Sequence, residues 1–216
     1  MRFFIDSAKV EDIRMANDLG AVCGVVTSLS RIAGEGQPVE EALARIAFAI
    51  SGPVVCEVGT DAVDAGEIVA QARGIAGIRS DMVVRIPMTV EGMKACQILT
   101  AEGIKVDVAM IFSANQALQA ARAGAAYVSP FMGRLHGVNQ RGVELIRETA
   151  DLFAVCEVDT QIIATVAQDL AWIVGCETAG ANIVAAPYSA IEQMAGHTQS
   201  GANAGGTLGG RGELPE

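Results

Sequence analysis

Aromatic residues are scarce in this chain of 216 residues: they make up 4%, with one tryptophan and two tyrosines. A core must therefore be assembled from Ala, Val, Ile, Leu and Met. The 51% hydrophobic content is enough for one sizeable core and so for one main domain. Charge is also sparse, at 19% against an average of about 25%. What charge there is runs acidic, to a net −10, which argues against nucleic acid and anionic membrane surfaces as partners. A small anionic substrate stays open, because local charge can differ from the net value. No run approaches the roughly 18 apolar residues needed to span a bilayer. Asp6 interrupts the N-terminal segment too early for a signal-peptide apolar region, so a cytoplasmic location is expected. The five cysteines (Cys23, Cys56, Cys96, Cys156 and Cys176) are odd in number, widely spaced and free of any CxxC pattern. They read as buried reduced thiols, not as a disulfide framework or a zinc site. No metal-ligand spacing occurs, and no metal is expected. His136 reads as a solvent-exposed loop residue and His197 belongs to the tail. The lysines are Lys9, Lys94 and Lys105 alone.

What the chain does have is alternation. Short apolar runs at Arg2–Ile5, Gly24–Val26, Pro53–Glu57, Met82–Arg85, Lys105–Met110, Ala126–Ser129, Gln161–Ala164 and Asn182–Ala185 predict eight strands. Helical segments are expected between them, near 9–18, 38–50, 62–75, 90–101, 114–122, 139–154, 168–178 and 187–195. In one of these, Val143, Ile146, Ala150 and Phe153 recur at helical spacing while Glu144, Arg147, Glu148 and Asp151 take the other face. Ser113 with Gln116 forms a capping-box pattern. Eight βα units in this length predict an α/β fold, a single (β/α)8 TIM barrel over residues 1–195. A doubly wound open sheet is the runner-up, weakened by the lack of a GxGxxG after the first strand. The stretch 196–216 holds seven glycines and no Gly-Lys-Ser/Thr, so it reads as a disordered tail and not as a phosphate loop.

In a barrel, functional side chains gather at the carboxyl ends of the strands. Those positions here are Asp6, Val26 to Ser28, Glu57, Arg85, Asp107, Ala109, Ser129, Phe131, Val166 and the loop after Ala185. Arg85 is the most informative, because a charge ending a buried strand is usually placed there for chemistry.

The segments Phe3-Phe4-Ile5-Asp6, Gly24–Ser30, Val83–Thr89, 101–105, Ile111–Ala117 and Ala120–Leu135 together resemble the small transaldolases and fructose-6-phosphate aldolases, over roughly residues 1–195. That resemblance implies a dihydroxyacetone-transferring or -cleaving Schiff-base reaction in sugar-phosphate metabolism, with no cofactor. It also implies roles. Asp6 matches an acid that assists proton transfer, and Glu57 a residue that holds a catalytic water. Thr27, Ser129 and Phe131 match the pocket, and Arg134 matches the arginine that grips the substrate phosphate.

The departures carry as much information. The family's Schiff-base lysine is Arg85 here. The Thr-Thr-Asn-Pro turn reads Val26-Thr27-Ser28-Leu29, and Asn-Val-Thr reads Asp107-Val108-Ala109. Ser-x-Arg or Ser-x-Lys reads Val166-Ala167-Gln168, which removes two phosphate partners of Arg134. Weak binding of a small sugar or sugar phosphate is therefore expected. The glycine-rich tail stands in place of the family's C-terminal helix, which puts its decamer in question and leaves a homo-oligomer open. A guanidinium stays protonated and forms no imine. The expectation is a pseudoenzyme in which Arg85, Asp107 and Glu57 form a charged cluster in the mouth. The alternative is altered acid–base chemistry on small sugars or carboxylates by Asp6, Glu57, Asp107 and Arg85; residual family activity by another route is a third reading.

Overall fold

The structure is a computed structural model that describes residues 1–36, 38–133, 140–166 and 170–196. Eight parallel strands close into a barrel in chain order: β1 Arg2–Asp6, β2 Val25–Ser28, β3 Val54–Glu57, β4 Met82–Pro87, β5 Lys105–Ile111, β6 Tyr127–Pro130, β7 Gln161–Thr165 and β8 Ile183–Ala186. The helices outside it are α1 Val10–Asp18, α2 Leu29–Gly34, α3 Val39–Phe48, α4 Ala65–Ala76, α5 Val90–Ala101, α6 Ala114–Arg122, α7 Gln140–Val155, α8 Leu170–Thr178 and α9 Tyr188–Ala195. Pairing of β1 with β8, Phe4 opposite Ala185, completes the ring and sets the open-sheet alternative aside.

Both faces of such a sheet are covered, so the strands are apolar throughout and their alternation sorts side chains between two cores. Phe4, Val26, Val55, Val83, Tyr127, Ile163, Ile183 and Ala185 fill the barrel interior. Ile5, Val25, Val54, Cys56, Val84 and Val108 face the helices. With so few aromatics the interior depends on one phenylalanine, and Gly24 makes room for it: a Cβ there would lie 2.5 Å from Phe4 Cε1. In α7 the buried stripe is Gly142, Leu145, Ile146, Thr149 and Phe153, with Val143 and Ala150 half-buried at its edge and Glu144, Arg147, Glu148 and Asp151 exposed.

Several strands and helices start or end a residue or two from where the sequence places them, β4 for one reaching Pro87 instead of Arg85, and other differences are instructive. β2 runs to Ser28 instead of ending at Val26, and the short α2 follows at once. Six residues hold too little periodicity to announce a helix, although Ser28 caps it by accepting from the Arg31 N–H at 3.1 Å. α4 starts at Ala65 and not at residue 62, because Asp64 and Glu67 form a full reciprocal capping box. The box read at Ser113 is half of one: Ser113 Oγ accepts from Gln116 N, but Gln116 Oε1 accepts from Phe112 N at 2.8 Å instead of from Ser113 N. Finally, Cys56, Cys96 and Cys176 are buried free thiols, whereas Cys156 is half-buried and Cys23 exposed. Cys23 precedes β2 in a loop, where no sheet or helix covers it.

Candidate active site

The carboxyl ends of β1 to β7 surround a cavity of about 230 Å³, lined by Asp6, Ser28, Arg31, Glu57, Arg85, Ala109, Met110, Ser129, Phe131 and Thr165 among others. Register explains the convergence. Ser28, Glu57, Arg85 and Asp107 are paired neighbours on β2 to β5, so they form one continuous level inside the barrel, one step above the apolar interior. Ser129 pairs with Ala109 and enters from β6.

Arg85 is 7% exposed and Asp107 is fully buried beneath it. Arg85 Nε donates to Asp107 Oδ2 at 2.5 Å, and Arg85 Nη2 donates to Ser129 Oγ at 2.9 Å. The Ser129 hydroxyl in turn donates to Asp107, at 2.9 Å to Oδ1 and 3.0 Å to Oδ2. The three side chains close a hydrogen-bonded triangle across three strands. Burial pushes the Arg85 pKa down, but Asp107, through its charge and hydrogen bond, together with Glu57 and Asp6 outweighs it, and the net shift is upward. The guanidinium is therefore a fixed cation. Nη1 has no hydrogen-bond partner among the described residues, and Arg85 lines the cavity, so Nη1 is the nitrogen left to serve a ligand.

Glu57 lies between two ion pairs, Arg85–Asp107 and Arg31–Asp6. It makes no side-chain hydrogen bond among the described residues. Burial raises its pKa above the ordinary 4.5, while Arg85 and Arg31 pull down and Asp107 and Asp6 push up. A raised folded-state pKa means the folded protein binds the proton better than the unfolded chain does. The resulting stabilisation is present below about pH 4.5 and is lost as pH rises through the folded value. Glu57→Gln is expected to flatten that loss, so that melting temperature falls less between acid and neutral pH than in the parent. Parallel melting curves in the two proteins would contradict the placement of Glu57. Burial also pushes the neighbouring Cys56 thiol up to about 12, which leaves it inert as a nucleophile.

Arg31 was not singled out in the sequence. It sits on α2, and its guanidinium bridges both oxygens of Asp6, Nη2 to Oδ2 at 3.3 Å. The only local signal for it was the Ser28 cap. Met110 was missed as well: the β5–β6 register shifts between Ala109 and Ile111, and Met110 takes φ 59° there, bringing it to the cavity rim. Thr165 ends β7 and lines the cavity, while Val166, the position read from the sequence, is 1% exposed and borders a neighbouring depression instead.

Thr27 borders the cavity, yet it has the parity of Val25 and Cys56 and so points its side chain to the helix layer. Its Oγ1 is buried without a hydrogen-bond partner. Ser28 faces inward, but its hydroxyl is engaged as the α2 cap. Ala109 offers only a methyl group. Phe131 supplies an apolar wall and packs against Phe112 behind it, the rings tilted with centroids 5.0 Å apart. Arg134, His136, Gln168 and the tail from residue 197 lie outside the described residues. Among the described residues the mouth holds three carboxylates (Asp6, Glu57, Asp107) and two guanidiniums (Arg31, Arg85), and no group of three or more His, Cys, Asp or Glu is placed to hold a metal ion.

No lysine lines this cavity. Lys9 is exposed ahead of α1, Lys94 is exposed on α5 and bonded to Glu91 at 2.6 Å, and Lys105 starts β5 at the opposite pole. The Met1 amine precedes β1 at that same opposite pole.

The geometry has relatives of two kinds. In solved structures, the carboxyl transferase domain of Rhizobium etli pyruvate carboxylase superposes with a TM-score of 0.60 over 86% of this chain and 39% of that one, at 11% identity, which speaks to the barrel alone. In sequence, probable transaldolases from Agathobacter rectalis and Brachyspira hyodysenteriae are each 49% identical over 197 residues, 91% of either chain. A probable transaldolase 1 from Listeria monocytogenes is 46% identical, covering 93% of this chain and 94% of its own. The model of the Transaldolase/Fructose-6-phosphate aldolase family matches residues 3–208. With a barrel of this closure, a mouth built at the ends of β1 to β7 and relatives of this coverage, the chain belongs to the transaldolase/fructose-6-phosphate aldolase family.

Proposed function

We propose that this family member binds a small polyhydroxylated carbonyl compound at the barrel mouth without forming an imine with it. The observation that carries this reading is the triangle of Arg85, Asp107 and Ser129: it fixes a permanent cation at the place where the resemblance puts the reactive lysine. An imine requires an amine that is neutral part of the time, and no lysine lines the cavity to supply one. The described charges favour a neutral polyol over a phosphate ester, because three carboxylates face two guanidiniums. The ligand's hydroxyls would meet Arg85 Nη1, Glu57 and Thr165, and Phe131 would pack against its carbon face.

A second reading, proton transfer at the carbon beside a carbonyl, has one observation in its favour: Glu57 is a half-buried carboxyl on the cavity wall that no other described side chain engages. Its carboxylate would accept that proton, the C–H electrons would move to the carbonyl oxygen, and Arg85 Nη1 would stabilise the enolate until the proton returned.

Incubation with dihydroxyacetone and borohydride separates these from imine chemistry. No reduced adduct is expected on any amine, and an adduct mapped by peptide mass spectrometry would refute the non-covalent reading. A separate incubation in deuterium oxide without borohydride adds the second comparison. Exchange at the substrate carbon that is lost in Glu57→Gln would favour proton transfer over binding alone.

A further inference from the structure

We propose that the amino-terminal pole of the barrel is a separate binding site for a phosphate-bearing small molecule, held by Arg2, Lys105 and Arg122. A depression of about 510 Å³ opens there, more than twice the volume of the mouth cavity and within the range of about 300–1,000 Å³ typical of small-molecule sites.

Strand alternation gathers its residues. Arg2 shares the parity of Phe4 and pairs with Ile183, and Lys105 pairs with Val83. Tyr127 pairs with Gln161. All four lie on the interior face at the first residues of their strands, so they converge where the barrel axis leaves the molecule. Arg122 reaches the same depression from the end of α6. Tyr127, only 8% exposed, forms the floor, and burial raises its pKa, which keeps the phenol protonated as a donor.

The cations stand without acidic partners. Arg2 spends its guanidinium on the Gln161 amide oxygen, and neither Lys105 nor Arg122 forms an ion pair among the described residues. In a chain with 25 acidic and 15 basic residues, three unpaired cations around one hollow are contrary to the general charge. Guanidinium and ammonium groups arranged in this way suit a phosphate's several oxygens. Two carboxylates, Glu157 and Asp159, stand on the rim. Glu157 takes φ 51° where the chain leaves α7, and the Val158 N–H closes that turn on Phe153 O at 2.9 Å. Glycine commonly fills such a position, so a carboxylate there comes at a conformational cost. As a lining residue it would accept from hydroxyl groups of the phosphate's carrier. The balance of three cations and two carboxylates is the reverse of that at the mouth.

Calorimetry on the full chain at fixed ionic strength tests the site, with glucose 6-phosphate, inorganic phosphate and glucose as probes. Saturable binding is expected for the two phosphates; glucose, which the mouth accommodates, should bind equally well in the parent and in Lys105→Gln/Arg122→Gln, whereas the phosphates should not. The double variant Lys105→Gln/Arg122→Gln changes two exposed side chains and should weaken glucose 6-phosphate binding by at least about tenfold, the loss of a charge-assisted contact. Arg31→Gln, at the mouth, should leave that affinity unchanged. No saturation at about 10 mM would overturn the proposal. So would an affinity that survives the double variant, or one that is lost with Arg31→Gln. These outcomes are independent of borohydride trapping, so this site and the reading of the mouth stand or fall separately.

Discussion

Arg85→Ala is expected to destabilise the protein by about 3–5 kcal/mol, the usual consequence of leaving one member of a buried ion pair behind. Asp107 has no exposure at all, and the substitution takes away both its charge partner and the donor that engages Ser129. Asp107→Ala should cost about the same for the converse reason, a cation left with no counter-charge. The two losses should not add. In Arg85→Met/Asp107→Val/Ser129→Ala the whole triangle becomes apolar, and stability should return to within about 1 kcal/mol of the parent or exceed it, because the pair's attraction only offsets its desolvation. Ser129 belongs in that variant, since its hydroxyl would otherwise be buried with both partners gone. Denaturant unfolding of the four proteins measures this. A loss under about 1 kcal/mol for Arg85→Ala would mean that the triangle is not a buried unit.

The other large effect concerns chemistry. Arg85→Lys restores an amine to β4, yet it should trap little dihydroxyacetone. Asp107 would still sit beside it with no access to water, and a buried carboxylate holds an ammonium ion protonated. Even the ordinary lysine pKa leaves less than about one amine in a thousand neutral near pH 7.4. Arg85→Lys/Asp107→Asn removes that charge, so burial lowers the amine's pKa against only the weaker pull of Glu57 and Asp6. Adduct formation under borohydride should then rise by at least about tenfold over Arg85→Lys, one pKa unit of change in the neutral fraction. The asparagine is also what the family resemblance has at that position. Equal trapping in the two variants would show that Asp107 does not set the state of residue 85. Absence of adduct in both would place the obstacle elsewhere, with Ser28 the next candidate because its hydroxyl is spent on capping α2.

These expectations depend on positions that were legible to different degrees. The Arg85–Asp107 neighbourhood could be read from the sequence, because residues ending consecutive parallel strands must lie side by side. Ser129 as the third member could not: it is 44 residues from Arg85, and only the register of β6 on β5 brings it within reach. Glu57 was expected inside the charged cluster. It lies beside both ion pairs and joins neither, a matter of a few ångströms that no pattern encodes. Arg31 escaped notice because a six-residue helix leaves almost no periodicity, and its contact with Asp6 spans 25 residues. For Thr27 the strand parity decided: one residue's difference along β2 exchanges the interior for the helix layer.

The order of apolar runs and amphipathic segments, taken with length, was enough to determine the eightfold barrel and the end of it where charged strand termini collect. The scarcity of lysine likewise determined how few amines there are to react. The three-dimensional structure alone decided which charges neutralise one another, which hydroxyls are already committed, and that a second group of cations meets at the far pole. Periodicity is a local property that each segment carries in its own residues. Pairing of charges depends on register, tilt and a single bulge in β5, which are settled only when the ring closes and every strand is fixed by both of its neighbours.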